Sequence, residues 1–108
     1  MKRLIAVLTA VAVVAAVMAI PALAATKNVS LRDNKFGPTS LRVKRGTTVK
    51  FTWRGRNPHN VVVTRGPVKF RSSVKSKGTY SKRVTRRGTY RIVCTIHAPS
   101  MKMTLKVT

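Results

Sequence analysis

The chain holds one cysteine and two histidines in 108 residues, and all three fall in its C-terminal half. His59 lies in Asn57-Pro58-His59-Asn60, whereas Cys94 and His97 share Cys94-Thr95-Ile96-His97-Ala98-Pro99-Ser100-Met101 with a methionine. A thiolate, two imidazoles and a thioether are a soft donor set that suits copper, with two His and one Cys in a trigonal plane and a distant axial Met. His97, three positions after Cys94, and Met101, four further on, can face one ion with it only if the intervening segment is a tight loop, which Pro99 favours. Zinc is the residual alternative for a Cys and two His.

Other chemistries are closed by composition. Asp33 is the only acidic side chain, against 23 Lys and Arg, so the formal charge is +22. Catalysis by paired carboxylates is therefore impossible, as is a Mg²⁺ or Ca²⁺ cage of several carboxylates. Triads that orient a His with Asp or Glu lose most of their candidates. A lone cysteine forms no intramolecular disulfide, leaving core packing, a bound metal or both to hold a small domain together.

Residues 1–24 read as a secretory signal peptide. Met1-Lys2-Arg3 is a basic start, Leu4 to Ile20 is apolar apart from Thr9, Pro21 ends the run, and Ala22-Leu23-Ala24 offers small residues for cleavage after Ala24. The competing reading is an uncleaved anchor, since the apolar stretch lies at the lower edge of membrane-spanning length. Cleavage removes Lys2 and Arg3 and lowers the charge from +22 to +20 on residues 25–108. The expected localisation is export to the periplasm, cell envelope or exterior.

The elements that position the donors follow from period-two alternation between turn signals, the pattern of a small all-β domain. Strands are expected at Ser40 to Lys44, Thr48 to Trp53, Asn60 to Thr64, Thr79 to Thr85, Thr89 to Thr95 and Lys102 to Thr108. Arg86-Arg87-Gly88 reads as the turn of a hairpin, and Arg65 to Lys82 as an exposed, loosely structured excursion. Parity places His59 with Val61 and Val63, and Cys94 with Tyr90 and Ile92, so both donors sit at strand ends on the inward face. Trp53 continues the Val49–Phe51 face and reads as core.

From about Val29 to Thr108 the chain resembles a small cupredoxin of the plastocyanin and amicyanin type. The resemblance rests on Pro58-His59-Asn60-Val61-Val62, on Tyr90-Arg91-Ile92-Val93-Cys94, on the Cys94-x-x-His97 pair with Met101, and on the terminal Met103 to Val107 strand. It implies a Greek-key β-sandwich, one type 1 copper ion, and His59, Cys94, His97 and Met101 as ligands. It also implies that Asn60 and Thr95 hydrogen-bond between the two ligand segments. Three residues separate His97 from Met101, a length between the amicyanin-like and plastocyanin-like loops, and Ile96 stands where a proline often precedes the second His. Met103 is the rival axial ligand, although its parity with Leu105 and Val107 makes it a core residue.

Two function classes follow. One is an exported, monomeric electron carrier without enzyme activity, passing electrons through the His97 edge beside Pro58, Ala98 and Pro99. Its excess of positive charge favours acidic redox partners and anionic membrane or cell-wall polymer surfaces. The same charge is expected to favour Cu(I) and so to raise the potential. The other class is a basic polyanion-binding domain. The secretory leader and the lack of a second aromatic cluster for base stacking argue against nucleic acid. A copper-binding or storage module, with the same ligands and no need of fast electron transfer, stands beside the carrier.

Overall fold

The computed structural model describes residues 25–108. The expected secretory leader, residues 1–24, lies outside the described residues. Eight strands run in chain order: β1 (Thr26–Arg32), β2 (Lys35–Gly37), β3 (Ser40–Val43), β4 (Thr47–Trp53), β5 (Val62–Arg65), β6 (Gly78–Val84), β7 (Gly88–Val93) and β8 (Lys102–Val107). They form two four-stranded sheets in the orders β2-β1-β4-β6 and β3-β8-β7-β5. Both sheets are mixed, because β1 runs parallel to β4 and β3 runs parallel to β8 while the other pairs are antiparallel. The non-consecutive neighbours are Greek-key crossings, as expected of the all-β sandwich.

Alternation explains the core. In β4, Val49, Phe51 and Trp53 point inward and Lys50 outward, and in β8 Met103, Leu105 and Val107 alternate with exposed Lys102, Thr104 and Lys106. The inner faces of the two sheets meet through rings. Phe70 lies between Tyr80 of β6 and Tyr90 of β7, with centroids 6.4 and 6.1 Å away, within the usual range for favourable aromatic pairs. Tyr90 is buried, and its hydroxyl donates to the Arg86 carbonyl at 2.8 Å, fixing the β6–β7 crossing.

Two expectations are corrected, and two strands are added. The β6–β7 hairpin does not exist: β6 pairs with β4 in one sheet, and β7 pairs with β5 and β8 in the other. Both strands are present, but Thr85-Arg86-Arg87 carries the chain across the sandwich, which lets Tyr80 and Tyr90 enter the core from opposite sides. The segment after Arg65 is not a loose excursion. β6 begins at Gly78, and bridges join His59 to Lys75 and Val62 to Arg71. The buried Ser72 hydroxyl accepts the Val61 N–H at 2.8 Å, so this stretch satisfies backbone groups that would otherwise be orphaned under it. Finally, β1 and β2 precede the first expected strand. Their turn is Asp33-Asn34, with Asn34 at φ 65°, a left-handed conformation that Asn tolerates better than most residues.

Candidate metal centre

All four donor side chains gather at one end of the β8-β7-β5 side of the second sheet. Cys94 follows β7 directly, Met101 immediately precedes β8, and His97 lies in the loop between them. His59 arrives on the segment leading into β5, the neighbour of β7 in register Val62↔Val93. The loop is closed at its base by backbone bonds: the Cys94 N–H donates to the Met101 carbonyl at 3.0 Å, His97 N–H to the Cys94 carbonyl at 3.2 Å, and Met101 N–H to the His97 carbonyl at 3.1 Å. The Ser100 hydroxyl adds a bond to the His97 carbonyl at 3.0 Å.

His59 is held from two directions. Its backbone exchanges hydrogen bonds with Lys75 at 3.0 and 3.1 Å, and its carbonyl also accepts the Trp53 indole N–H at 3.1 Å. Trp53 is thus a core residue, as its parity predicts, and also a fixed donor to the ligand segment. Asn60, buried beside His59, accepts the Thr95 N–H on Oδ1 at 2.8 Å and donates from Nδ2 to the Thr95 hydroxyl at 2.9 Å. This two-bond clip joins the residue after His59 to the residue after Cys94.

The donor atoms face one another. His59 Nδ1 lies 3.2 Å from His97 Nδ1, and Cys94 Sγ lies 3.5 Å from His97 Nδ1 and 3.9 Å from His59 Nδ1. A single ion bonded at about 2.0–2.1 Å to nitrogen and about 2.3 Å to sulfur separates such donors by roughly 3.3–3.8 Å. The observed triangle therefore brackets the space one ion needs. Cys94 and His59 are buried, His97 is half-buried, and Met101 is buried. Met103 lies on β8 and points inward with Leu105 and Val107, so its parity reading holds. Burial pushes the His59 imidazole below the ordinary histidine pKa, the neighbouring His97 adds to this, and Asp33 opposes it. The ring therefore favours the neutral form that binds a metal.

The comparisons name the ion. A family model described as copper-binding proteins of the plastocyanin/azurin family matches residues 24–108. The chain belongs to that family. Among solved structures this cupredoxin is similar to a copper-containing nitrite reductase from Thermus scotoductus SA-01, at 28% identity and TM-score 0.68, over 77% of this chain. The match spans only 22% of the reductase. An oxidised amicyanin mutant matches at 30% identity and TM-score 0.64, over 76% of this chain and 81% of its own. A fern plastocyanin mutant, solved in oxidised and reduced states, matches at 28% identity and TM-score 0.65, over 75% of this chain and 99% of its own. No curated protein matches the chain. In this cupredoxin His59, Cys94, His97 and Met101 are arranged as a type 1 copper site.

Two contributors escaped the sequence reading. Ser72 lay in the stretch read as loose, and nothing in its local pattern marks it. Asp33 figured only as an exclusion, although being the sole carboxylate was itself a signal. Its Oδ1 accepts the N–H groups of Arg56 and Asn57 at 2.8 and 2.9 Å and lies 3.6 Å from His59 Nε2. The Asn57 bond, more than any other influence, holds its carboxyl below the ordinary aspartate pKa.

Proposed function

We propose that this cupredoxin is an exported single-electron carrier, in which residues 25–108 act after removal of the leader at 1–24. His59, Cys94, His97 and Met101 are the ligands, with Asn60 and Thr95 supporting them. The copper ion supplies a one-electron couple whose potential depends on its axial ligand and on the surroundings of the Cys sulfur. The chain's own residues do the rest. Met101 and the buried Cys94 and His59 keep water from one side of the site, and the Asn60–Thr95 clip fixes the separation of the two ligand segments.

One observation carries the reading: His97 is the half-buried member of the set, and the apolar residues flanking the two ligand histidines in sequence, Pro58, Ile96, Ala98 and Pro99, are exposed. A ligand ring that reaches a small apolar patch gives a partner a short route to the metal without opening the site. The chain's excess of Lys and Arg favours acidic redox partners and anionic envelope surfaces, with salt-sensitive association. The protein acts as a monomer and performs no chemistry on a substrate, because four protein ligands leave no open coordination position.

The test adds Cu(II) to residues 25–108. An intense blue thiolate-to-copper absorption is expected, and it should vanish in Cys94→Ser. A colourless product, or colour that survives the substitution, refutes the copper assignment. Fast electron self-exchange supports the carrier, while tight copper binding with negligible exchange favours a storage module.

A further inference from the structure

Asp33 is the only acidic side chain in a domain of charge +20 once Lys2 and Arg3 are removed. Among the described residues it forms no salt bridge to a Lys or Arg; the titratable side chain within 4 Å of it is the His59 ring. The carboxylate reaches that ring from the other sheet, on the β1–β2 turn. Two backbone N–H groups, of Arg56 and Asn57, hold Oδ1 in place. Gly55 makes the approach possible, because a Cβ there would fall on the Asp33 carboxyl group.

The other side of the contact is incomplete without it. His59 is fully buried, and its Nε2 has no hydrogen-bond partner within reach. Nδ1 faces the metal site, so a neutral ring that offers its lone pair there must carry its proton on Nε2. The Asp33 carboxylate, the only acidic side chain, lies 3.6 Å from that nitrogen. A slight closure makes this a charge-assisted hydrogen bond. We propose that Asp33 is a positioning residue for the copper site: its carboxylate orients His59 through Nε2 and selectively stabilises Cu(II) over Cu(I). The inference rests on the copper reading above and goes beyond it, since it assigns a redox-tuning role to a residue outside the ligand set. Metal-bound imidazoles commonly depend on such partners, whose loss costs about 10–100-fold in metal affinity. Asp33 is 44% exposed, so the lower end applies.

Asp33→Asn keeps an oxygen to accept the Arg56 and Asn57 N–H groups and removes only the charge. It should weaken Cu(II) binding about tenfold relative to Cu(I), a rise of about 59 mV in reduction potential for a one-electron couple. Gly55→Ala displaces the carboxylate without changing any charge and should move the potential the same way. Thr89→Lys adds the same unit of charge at the exposed far end of β7, the strand that leads to Cys94, and should leave the potential in place. Unmoved potentials in Asp33→Asn and Gly55→Ala, in proteins that still turn blue with copper, would overturn the proposal. So would equal shifts in Asp33→Asn and Thr89→Lys, which would reduce the effect to net charge. A wild-type protein that stays colourless instead refutes the copper reading itself.

Discussion

The Asn60–Thr95 clip makes a prediction whose size follows from its atoms. Asn60→Ala removes both bonds, the 2.8 Å acceptance from the Thr95 N–H and the 2.9 Å donation to the Thr95 hydroxyl. Each is worth about 0.5–1.5 kcal/mol net. Truncating a buried side chain adds to this, so the total cost is about 2–3 kcal/mol. Thr95→Val removes only the hydroxyl and should cost about 1 kcal/mol. Because the two substitutions share one bond, the double variant should be less destabilised than the sum, with a coupling energy of about 1 kcal/mol. Urea unfolding of the metal-free protein measures all four corners of the cycle, and in a domain of this size each kcal/mol moves the midpoint temperature by roughly 4–8 °C. Copper retention is the second readout. The clip sets the distance between the segments bearing His59 and Cys94, so Asn60→Ala should release copper to a chelator faster than Thr95→Val does. A coupling energy within about 0.3 kcal/mol of zero would show that the side chains do not act together and would refute the argument.

The two methionines should separate cleanly. Met101→Leu should alter the visible spectrum and raise the potential, because a donor that favours Cu(II) is lost, whereas Met103→Ala should cost about 2–5 kcal/mol in stability and leave the spectrum alone; interchanged outcomes in spectroscopy and melting would make Met103 the axial ligand. Tyr90→Phe removes the 2.8 Å bond to the Arg86 carbonyl and should lower stability by about 1 kcal/mol, measured by thermal unfolding, without changing the potential. Neutralising exposed Arg56 or Lys102 should lower the potential by a fraction of the 59 mV that corresponds to a tenfold change, and added salt should shrink that difference in voltammetry, since exposed charges are screened over about 8–10 Å. A potential that stays put or rises would break the link between surface charge and redox preference.

The donor cluster was legible because its members are scarce. With one Cys and two His in the chain, the candidates could not be confused, and strand parity alone turned His59 and Cys94 inward. The β4 and β8 faces were readable for the same reason. What stayed hidden depends on partners distant in sequence. Arg86-Arg87-Gly88 marks a reversal between strands, but a turn signal does not say whether the two strands pair or part to opposite sheets; Phe70, packing between Tyr80 and Tyr90, makes that difference. Asp33 meets Asn57 across 24 positions, and no local pattern announces it. The Ser72 hydroxyl matters because the Val61 N–H above it has no strand partner, a need visible only once the backbones are laid side by side.

The loop from Cys94 to Met101 is tied by its own backbone and by the Ser100 hydroxyl, and Asn60 ties it to the His59 segment. None of these bonds uses the ion. The entropy of ordering four donors is therefore spent when the chain folds, and little of it is left to be spent when copper arrives. A site built this way behaves as a rigid receptor rather than a coupled folder. Calorimetry should find a small heat-capacity change on metal uptake, and amide exchange in residues 94–101 should slow only modestly. The same stiffness would oppose rearrangement of a bound ion's donors when its charge changes.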